Sequence, residues 1–196
     1  MRNTPTPSVA NQNESQLEGN LLDSVILVDE QDTQIGTMDK IEAHRGDGKR
    51  HRAISVFLYD NQDRLFIQKR STLKIVGAEQ WGNTACGNLR PGESYEDCAT
   101  RRLREELGIQ GLSLEPGEKF EYHIRCNDQF SEWEIDQLFY SKIGDATELQ
   151  YECNPDEASE ARWISLEELH QNIDQDSSQF APWFLLMIER KLHLPA

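Results

Sequence analysis

Four apolar side chains in a row, Val25-Ile26-Leu27-Val28, stand between Ser24 and Asp29. A short run of this kind, rich in β-branched residues, predicts a buried strand. Ile35-Gly36-Thr37-Met38 follows as a short extended piece or turn. The run 53–59, Ala-Ile-Ser-Val-Phe-Leu-Tyr, predicts a second strand, and 64–70 a third. The polar stretch 60–63 between them predicts a hairpin. Residues 73–80 read as loop and 81–87 as extended chain. At Ser94 the period changes. Ala99, Leu103 and Leu107 recur every fourth residue, the buried stripe of a helix. Ser94 with Asp97 has the spacing of a capping box, and Gly108 is a natural stop. Arg102 and Glu106 are also four apart and flank the stripe. The stretches 119–126 and 132–142 alternate again, with aromatics, and predict two more strands; 161–164 predicts another. Ser165 caps a short helix ending near Ile173. A last helix with a wide apolar face runs over 181–192, with Pro182 in its first turn. Strands, one helix, strands, then helices predict an α/β fold, a mixed β-sheet sandwiched between α-helices.

Residues 1–20 are rich in Asn, Gln, Ser, Thr and Pro and carry little to bury, so a disordered leader is expected ahead of one domain over 21–196. Hydrophobic residues make up 37% of the chain, enough for one core. No apolar run approaches the ~20 residues that span a bilayer. The basic-then-apolar order of a signal peptide is missing. The expectation is a cytoplasmic protein without a membrane partner, a monomer or homodimer. A net charge of −15 argues against a nucleic-acid partner, which calls for a basic face. The same charge repels anions at long range, so an anionic substrate would need a local basic cluster. Cys86, Cys98, Cys126 and Cys153 show no Cys-x-x-Cys spacing and read as reduced thiols.

Glu132 and Glu134 are two apart on an expected strand and so share one face. Two like charges there cost stability unless a cation or a proton sits between them. His44 and His51 lie seven apart in a stretch whose two intervening glycines forbid a simple helical pair and suggest a loop returning on itself. Imidazole and carboxylate together suit a divalent ion such as zinc or manganese. Taken singly, the other candidates have bland explanations: Cys86 as buried filler, Trp183 as core, Tyr122 as a strand aromatic, and Lys40, Arg70 and Lys74 as surface charge.

The spacing Gly87-x5-Glu93-x7-Arg101, continued by Leu103, Glu105, Glu106, Gly108 and Ile109, resembles the Nudix box. Position 102 departs from it, with Arg where the box has Glu. In Nudix hydrolases those glutamates hold magnesium, a hard cation that prefers carboxylate oxygens. An Arg in that slot removes one ligand, so the resemblance points to a Nudix fold put to another use. The same departure, with a cysteine just ahead of the box, marks the type 1 isopentenyl-diphosphate isomerase family, which the chain resembles over roughly residues 24–190. The resemblance implies a metal held by His44, His51, Glu132 and Glu134. It makes Cys86 and Glu134 the two catalytic groups, Tyr122 the hydrogen-bond partner of that glutamate, and Trp183 the aromatic over the reacting carbons. Lys40, Arg70, Lys74 and Arg102 match diphosphate contacts, and Glu106 matches the ligand of a magnesium bridging to the diphosphate. The family has a further histidine ligand two residues after the cysteine; here that position is Asn88. An amide binds borderline metals poorly, so Mg2+ or Mn2+ is expected, with Zn2+ possible.

The implied reaction moves a double bond by one carbon. An acid protonates an unactivated alkene, a tertiary carbocation forms, and a base on the opposite side removes a different proton. Glu134, assisted by Tyr122, is the expected acid, and Cys86, as a thiolate of lowered pKa, the expected base, though the two roles can be exchanged. Trp183 would face the cation with its ring. Two alternatives belong to other classes. One is a metal-dependent hydrolase of a diphosphate, using Glu105 and Glu106 with help from Glu93. The other is a non-catalytic binder of prenyl diphosphates, with Asn88 the mark of a lost metal site.

Overall fold

The computed structural model describes residues 23–193; the expected leader over 1–20 lies outside the described residues. Strands β1 (Ser24–Val28) and β2 (Gln34–Asp39) pair antiparallel, Leu27 opposite Gly36. One helical turn, α1 (Lys40–His44), follows; its cap is Asp39, whose carboxylate accepts from the Glu42 N–H at 3.1 Å. Strands β3 (His51–Tyr59), β4 (Leu65–Arg70), β5 (Trp81–Gly82) and β6 (Ala85–Asn88) lead into helix α2 (Tyr95–Leu107). Strands β7 (Glu115–Arg125), β8 (Ser131–Lys142) and β9 (Ala158–Ile164) come next, then helices α3 (Leu166–Gln175) and α4 (Pro182–Glu189).

The mixed sheet is organised on β3. It pairs antiparallel with β1, β4 and β6, and parallel with β8 in a register running from His51 beside Glu134 to Tyr59 beside Lys142. Alternation along β3 explains the layers. Ile54, Val56 and Leu58 pack into a core with Ala99, Leu103 and Leu107 of α2. Phe57 and Tyr59 point the other way, into a core with Phe184 and Met187 of α4. Each buried Leu of the α2 stripe contributes about 1.5–3 kcal/mol, more than the ~1 kcal/mol of a cap. The caps are nonetheless those expected: the Ser94 hydroxyl accepts from the Asp97 N–H at 3.1 Å, and Gly108 closes the helix at φ 66°.

Several boundaries differ from expectation. Residues 34–39 form a full strand because β1 supplies their hydrogen-bond partners. The expected loop over 40–51 begins with the turn of α1. The β3–β4 hairpin has two rungs only, Leu58 with Phe66 and Tyr59 with Leu65, since the same edge of β3 is taken by β6 over Ala53 to Val56. The last helix ends at Glu189, three residues before Leu192. Among the described residues no helix is long and apolar enough to cross a membrane, and all four cysteines are free thiols.

Candidate active site

A cavity of about 420 Å³ opens beside β3, between the ends of β6 and β8. His44, Glu132 and Glu134 line it, and His51 lies just behind. All four side chains are buried, and one donor atom from each falls within 4.8 Å of the others. Local structure brings them together. His44 closes α1, and His51 opens β3, whose parallel pairing sets Glu134 at its side. Gly48 carries the chain between the histidines at φ +77°; a Cβ there would meet the Ser131 carbonyl at 3.2 Å, so the returning loop packs on β8 only because the side chain is absent.

The ring orientations leave one nitrogen of each histidine turned into the cluster. His44 Nδ1 donates to the Lys40 carbonyl and His51 Nδ1 to the Lys49 carbonyl, each at 2.6 Å. A carbonyl only accepts, so both Nε2 atoms are left to face the carboxylates, at 2.9 Å from Glu132 and 3.3 Å from Glu134. Glu132 Oε2 is buried and has no donor of its own unless His44 carries a second proton. Burial resists that proton, but the facing Glu132 carboxylate outweighs it and raises the His44 pKa. A divalent cation would meet the same need with two imidazoles and two carboxylates, so the donor set fits one.

The basic cluster is present. Lys40, Arg70, Lys74 and Arg102 all line the cavity. Desolvation by the cleft walls, then the charges of Arg102 and Lys74, hold the Lys40 ammonium below the usual lysine range. Arg70 donates to the Val76 carbonyl at 3.1 and 3.0 Å and lies 4.9 Å over the Trp183 ring. One face of Trp183 is therefore covered by a cation before any substrate arrives.

Glu157 is a residue that sequence reasoning missed. One of its oxygens accepts from both Lys74 Nζ at 2.6 Å and Arg102 Nη2 at 2.8 Å. Its carboxyl is held down at about 2, burial opposing and Arg102 and Lys74 prevailing. No local pattern could reveal a carboxylate whose partners lie 83 and 55 residues away. Asp136 was also missed. It is fully buried and accepts from the Ser55 hydroxyl at 2.8 Å; burial, then Glu134, raise its carboxyl well above the usual range. Here a signal existed, because Asp136 continues the alternation of Glu132 and Glu134 on β8.

The box carboxylates are engaged by arginines. Arg101 holds both oxygens of Glu93, at 2.6 and 2.9 Å, and Arg102 reaches Glu105 at 3.0 Å and Glu106 at 2.8 Å. Gln68 donates to the other Glu106 oxygen. Glu106, expected beside a bridging magnesium, thus sits behind Arg102 and Gln68. The Arg102 side chain crosses Gly87 to donate to the Cys86 carbonyl at 3.2 Å; a Cβ on Gly87 would meet its Cδ at 2.8 Å.

Cys86 and Glu134 line the same cavity, with Val76, Phe130 and Trp183 as apolar walls. Tyr122, opposite Glu134 in the β7–β8 register, donates its hydroxyl to Glu134 Oε2 at 2.5 Å. Burial and the Glu134 charge push the Tyr122 pKa well above its usual value, so it stays a phenol and a donor. Asn88 faces the cluster too: its Nδ2 donates to Glu134 Oε1 at 2.8 Å and to His51 Nε2 at 3.0 Å.

One expectation is corrected. Cys86 does not have a lowered pKa among its protein neighbours. Desolvation pushes it up to about 12, and Arg70, whose Nη1 is 3.8 Å from the sulfur, offsets only part of this. The thiol is therefore neutral at pH 7. Alkylation of Cys86 by iodoacetamide in metal-free protein is expected to be slow at pH 7 and to rise about tenfold per pH unit up to pH 9.5. A rate that levels off near pH 7, followed by peptide mass mapping, would contradict this.

Comparison with known proteins agrees with the geometry. The model of the NUDIX domain matches residues 49–184. Isopentenyl-diphosphate Delta-isomerase 1 of Aromatoleum aromaticum is 40% identical over 169 residues, covering 86% of this chain and 92% of its own. Isopentenyl-diphosphate Delta-isomerase of Pectobacterium atrosepticum is 34% identical, covering 86% and 91%. Among solved structures, a Deinococcus radiodurans protein superposes with a TM-score of 0.63 at 24% identity, covering 78% of this chain and 90% of its own, a likeness of fold. The NUDIX domain of Shewanella oneidensis NrtR gives 0.54 at 17%, covering 71% and 84%. By its box, its fold and these relatives, the chain belongs to the isopentenyl-diphosphate delta-isomerase family of the Nudix superfamily.

Proposed function

We propose that the protein interconverts isopentenyl and dimethylallyl diphosphate in isoprenoid biosynthesis, in the cytoplasm, with Mg2+ or Mn2+ at the His44–His51–Glu132–Glu134 cluster. One observation carries the reading: a thiol, Cys86, and a tyrosine-bound carboxylate, Glu134, border one small cavity with apolar walls and a basic rim.

Lys40, Arg70, Lys74 and Arg102 hold the diphosphate, which places the short alkene chain between Cys86 and Glu134. A bound ion would anchor Glu134 and neutralise its charge against Glu132. One of the pair gives a proton to the terminal carbon of the alkene, and the other takes a proton from the neighbouring allylic carbon. Each turnover moves one proton from the acid to the base, and a proton passes back from the base to the acid by way of solvent, once product has left, before the next. Val76, Phe130 and Trp183 keep water from the tertiary cation, which water would trap as an alcohol. Glu157 keeps Lys74 and Arg102 side by side. For Glu106 to reach an ion at the diphosphate, Arg102 must turn to the substrate and release it.

The test is to incubate metal-loaded protein with isopentenyl diphosphate and follow both dimethylallyl diphosphate and free phosphate. Isomer without phosphate is expected. Phosphate release would favour a hydrolase, and binding without either product a non-catalytic binder. Gly87→Ala is expected to push Arg102 from its place and raise KM for the diphosphate about tenfold, the worth of one charge-assisted hydrogen bond. An unchanged KM would mean that Arg102 does not contact the substrate.

A further inference from the structure

We propose that Asn88 is a two-position group at the metal cluster. Its amide nitrogen holds two of the ligands; for an ion to bind there, the amide turns over and presents Oδ1 to it. This rests on the metal reading above and adds which atom of Asn88 acts, and when.

The orientation of the amide follows from its neighbours. Glu134 Oε1 and His51 Nε2 are 3.3 Å apart, and Asn88 Nδ2 lies 2.8 Å from the first and 3.0 Å from the second. His51 Nδ1 is committed to the Lys49 carbonyl, so its Nε2 is an acceptor, as is a carboxylate oxygen. Two acceptors that close need a hydrogen-bond donor between them, and the NH2 supplies it. Turned the other way, Oδ1 would be a third acceptor among the two. Three acceptors facing one another repel, whereas around a cation the arrangement is favourable, because all three atoms can then be its ligands.

The motion needed is small. The Asn88 backbone is held in β6 opposite Ala53, and its carbonyl accepts from Arg101 Nη2 at 3.2 Å and from the Cys98 thiol at 3.4 Å. Only the side-chain torsion has to change. The same pinned backbone keeps Oδ1 within reach of the cluster after the turn.

Two consequences distinguish this device from a fixed ligand. An incoming ion must displace two hydrogen bonds, so affinity is lowered and exchange made easier. The donor it gains is a neutral amide oxygen, which favours Mg2+ and Mn2+ and does little for Zn2+.

The test has two arms. Mn2+ and Zn2+ are titrated calorimetrically into the wild type, Asn88→Ala and Asn88→His. Mg2+ is titrated into 15N-labelled wild type while the Asn88 side-chain amide is followed by NMR. The expected results are Mn2+ binding weakened about tenfold in Asn88→Ala, Zn2+ binding tightened at least tenfold in Asn88→His, and a large shift of the Asn88 side-chain signals on adding Mg2+. If the NH2 only competes with the ion, Asn88→Ala binds Mn2+ as well as or better than wild type and the proposal is overturned. Unmoved Asn88 signals at saturating Mg2+ overturn it too, without any variant. Wild type that binds none of the three ions overturns the metal reading itself, a distinguishable result.

Discussion

Cys86→Ala abolishes the conversion of isopentenyl to dimethylallyl diphosphate, by a factor of about 10² to 10⁴ or more in kcat, the range of a lost proton-transfer group. KM and metal affinity stay near wild type. The side chain makes one weak polar contact, 3.8 Å from Arg70, and lies outside the donor set of the metal cluster. Removing one sulfur from a cavity wall costs little stability, so the thermal midpoint is expected to move by no more than a few degrees. Nothing in diphosphate hydrolysis requires a thiol here. Measuring isomer and phosphate from the same variant therefore separates the two chemistries. Isomerisation within about tenfold of wild type would sink the assignment of Cys86.

The second large effect is that of Glu134→Gln, which keeps the shape of the side chain and removes its charge. Glu134 serves two purposes: it borders the reacting cavity and is one of four donors to the cluster. Loss of turnover by at least about 10³ is expected, together with Mn2+ binding weakened about 10- to 100-fold. The combination distinguishes this position from Cys86, where only turnover should fall. Stability responds in both directions. The carboxylate accepts from Tyr122 and Asn88, and an amide offers only one oxygen to those two donors. Against this, a negative charge disappears from beside Glu132 and Asp136, which relieves their repulsion. The net change is expected within about 1–2 kcal/mol, readable from a denaturant midpoint. Full turnover with intact metal binding would remove Glu134 from both roles.

Much of the site was legible from spacing because its parts are held by regular elements. A strand places residues two apart on one face, so Glu132, Glu134 and, by continuation, Asp136 had to point together. A helix places residues four apart side by side, and the Arg102–Glu106 pair is found as expected. Tyr122 and Glu134 were linked only through the resemblance, since cross-strand register cannot be read from either strand alone. Glu157 stayed hidden for the same reason in stronger form. Its partners come from β4's end loop and from α2, and only the folded chain brings these together.

The chain by itself determined most of the strands and helices and where α2 starts and stops, and it pointed to the residues proposed here for metal binding and proton transfer. Those are properties of local sequence: side-chain chemistry, a period of two or nearly four, a cap, a glycine. Tertiary structure alone decided the protonation of Cys86, the covered face of Trp183, the hold of Glu157 on two cations, and the direction of the Asn88 amide. Each of these depends on charges and dipoles brought within a few ångströms by remote parts of the chain, where little water is left to screen them.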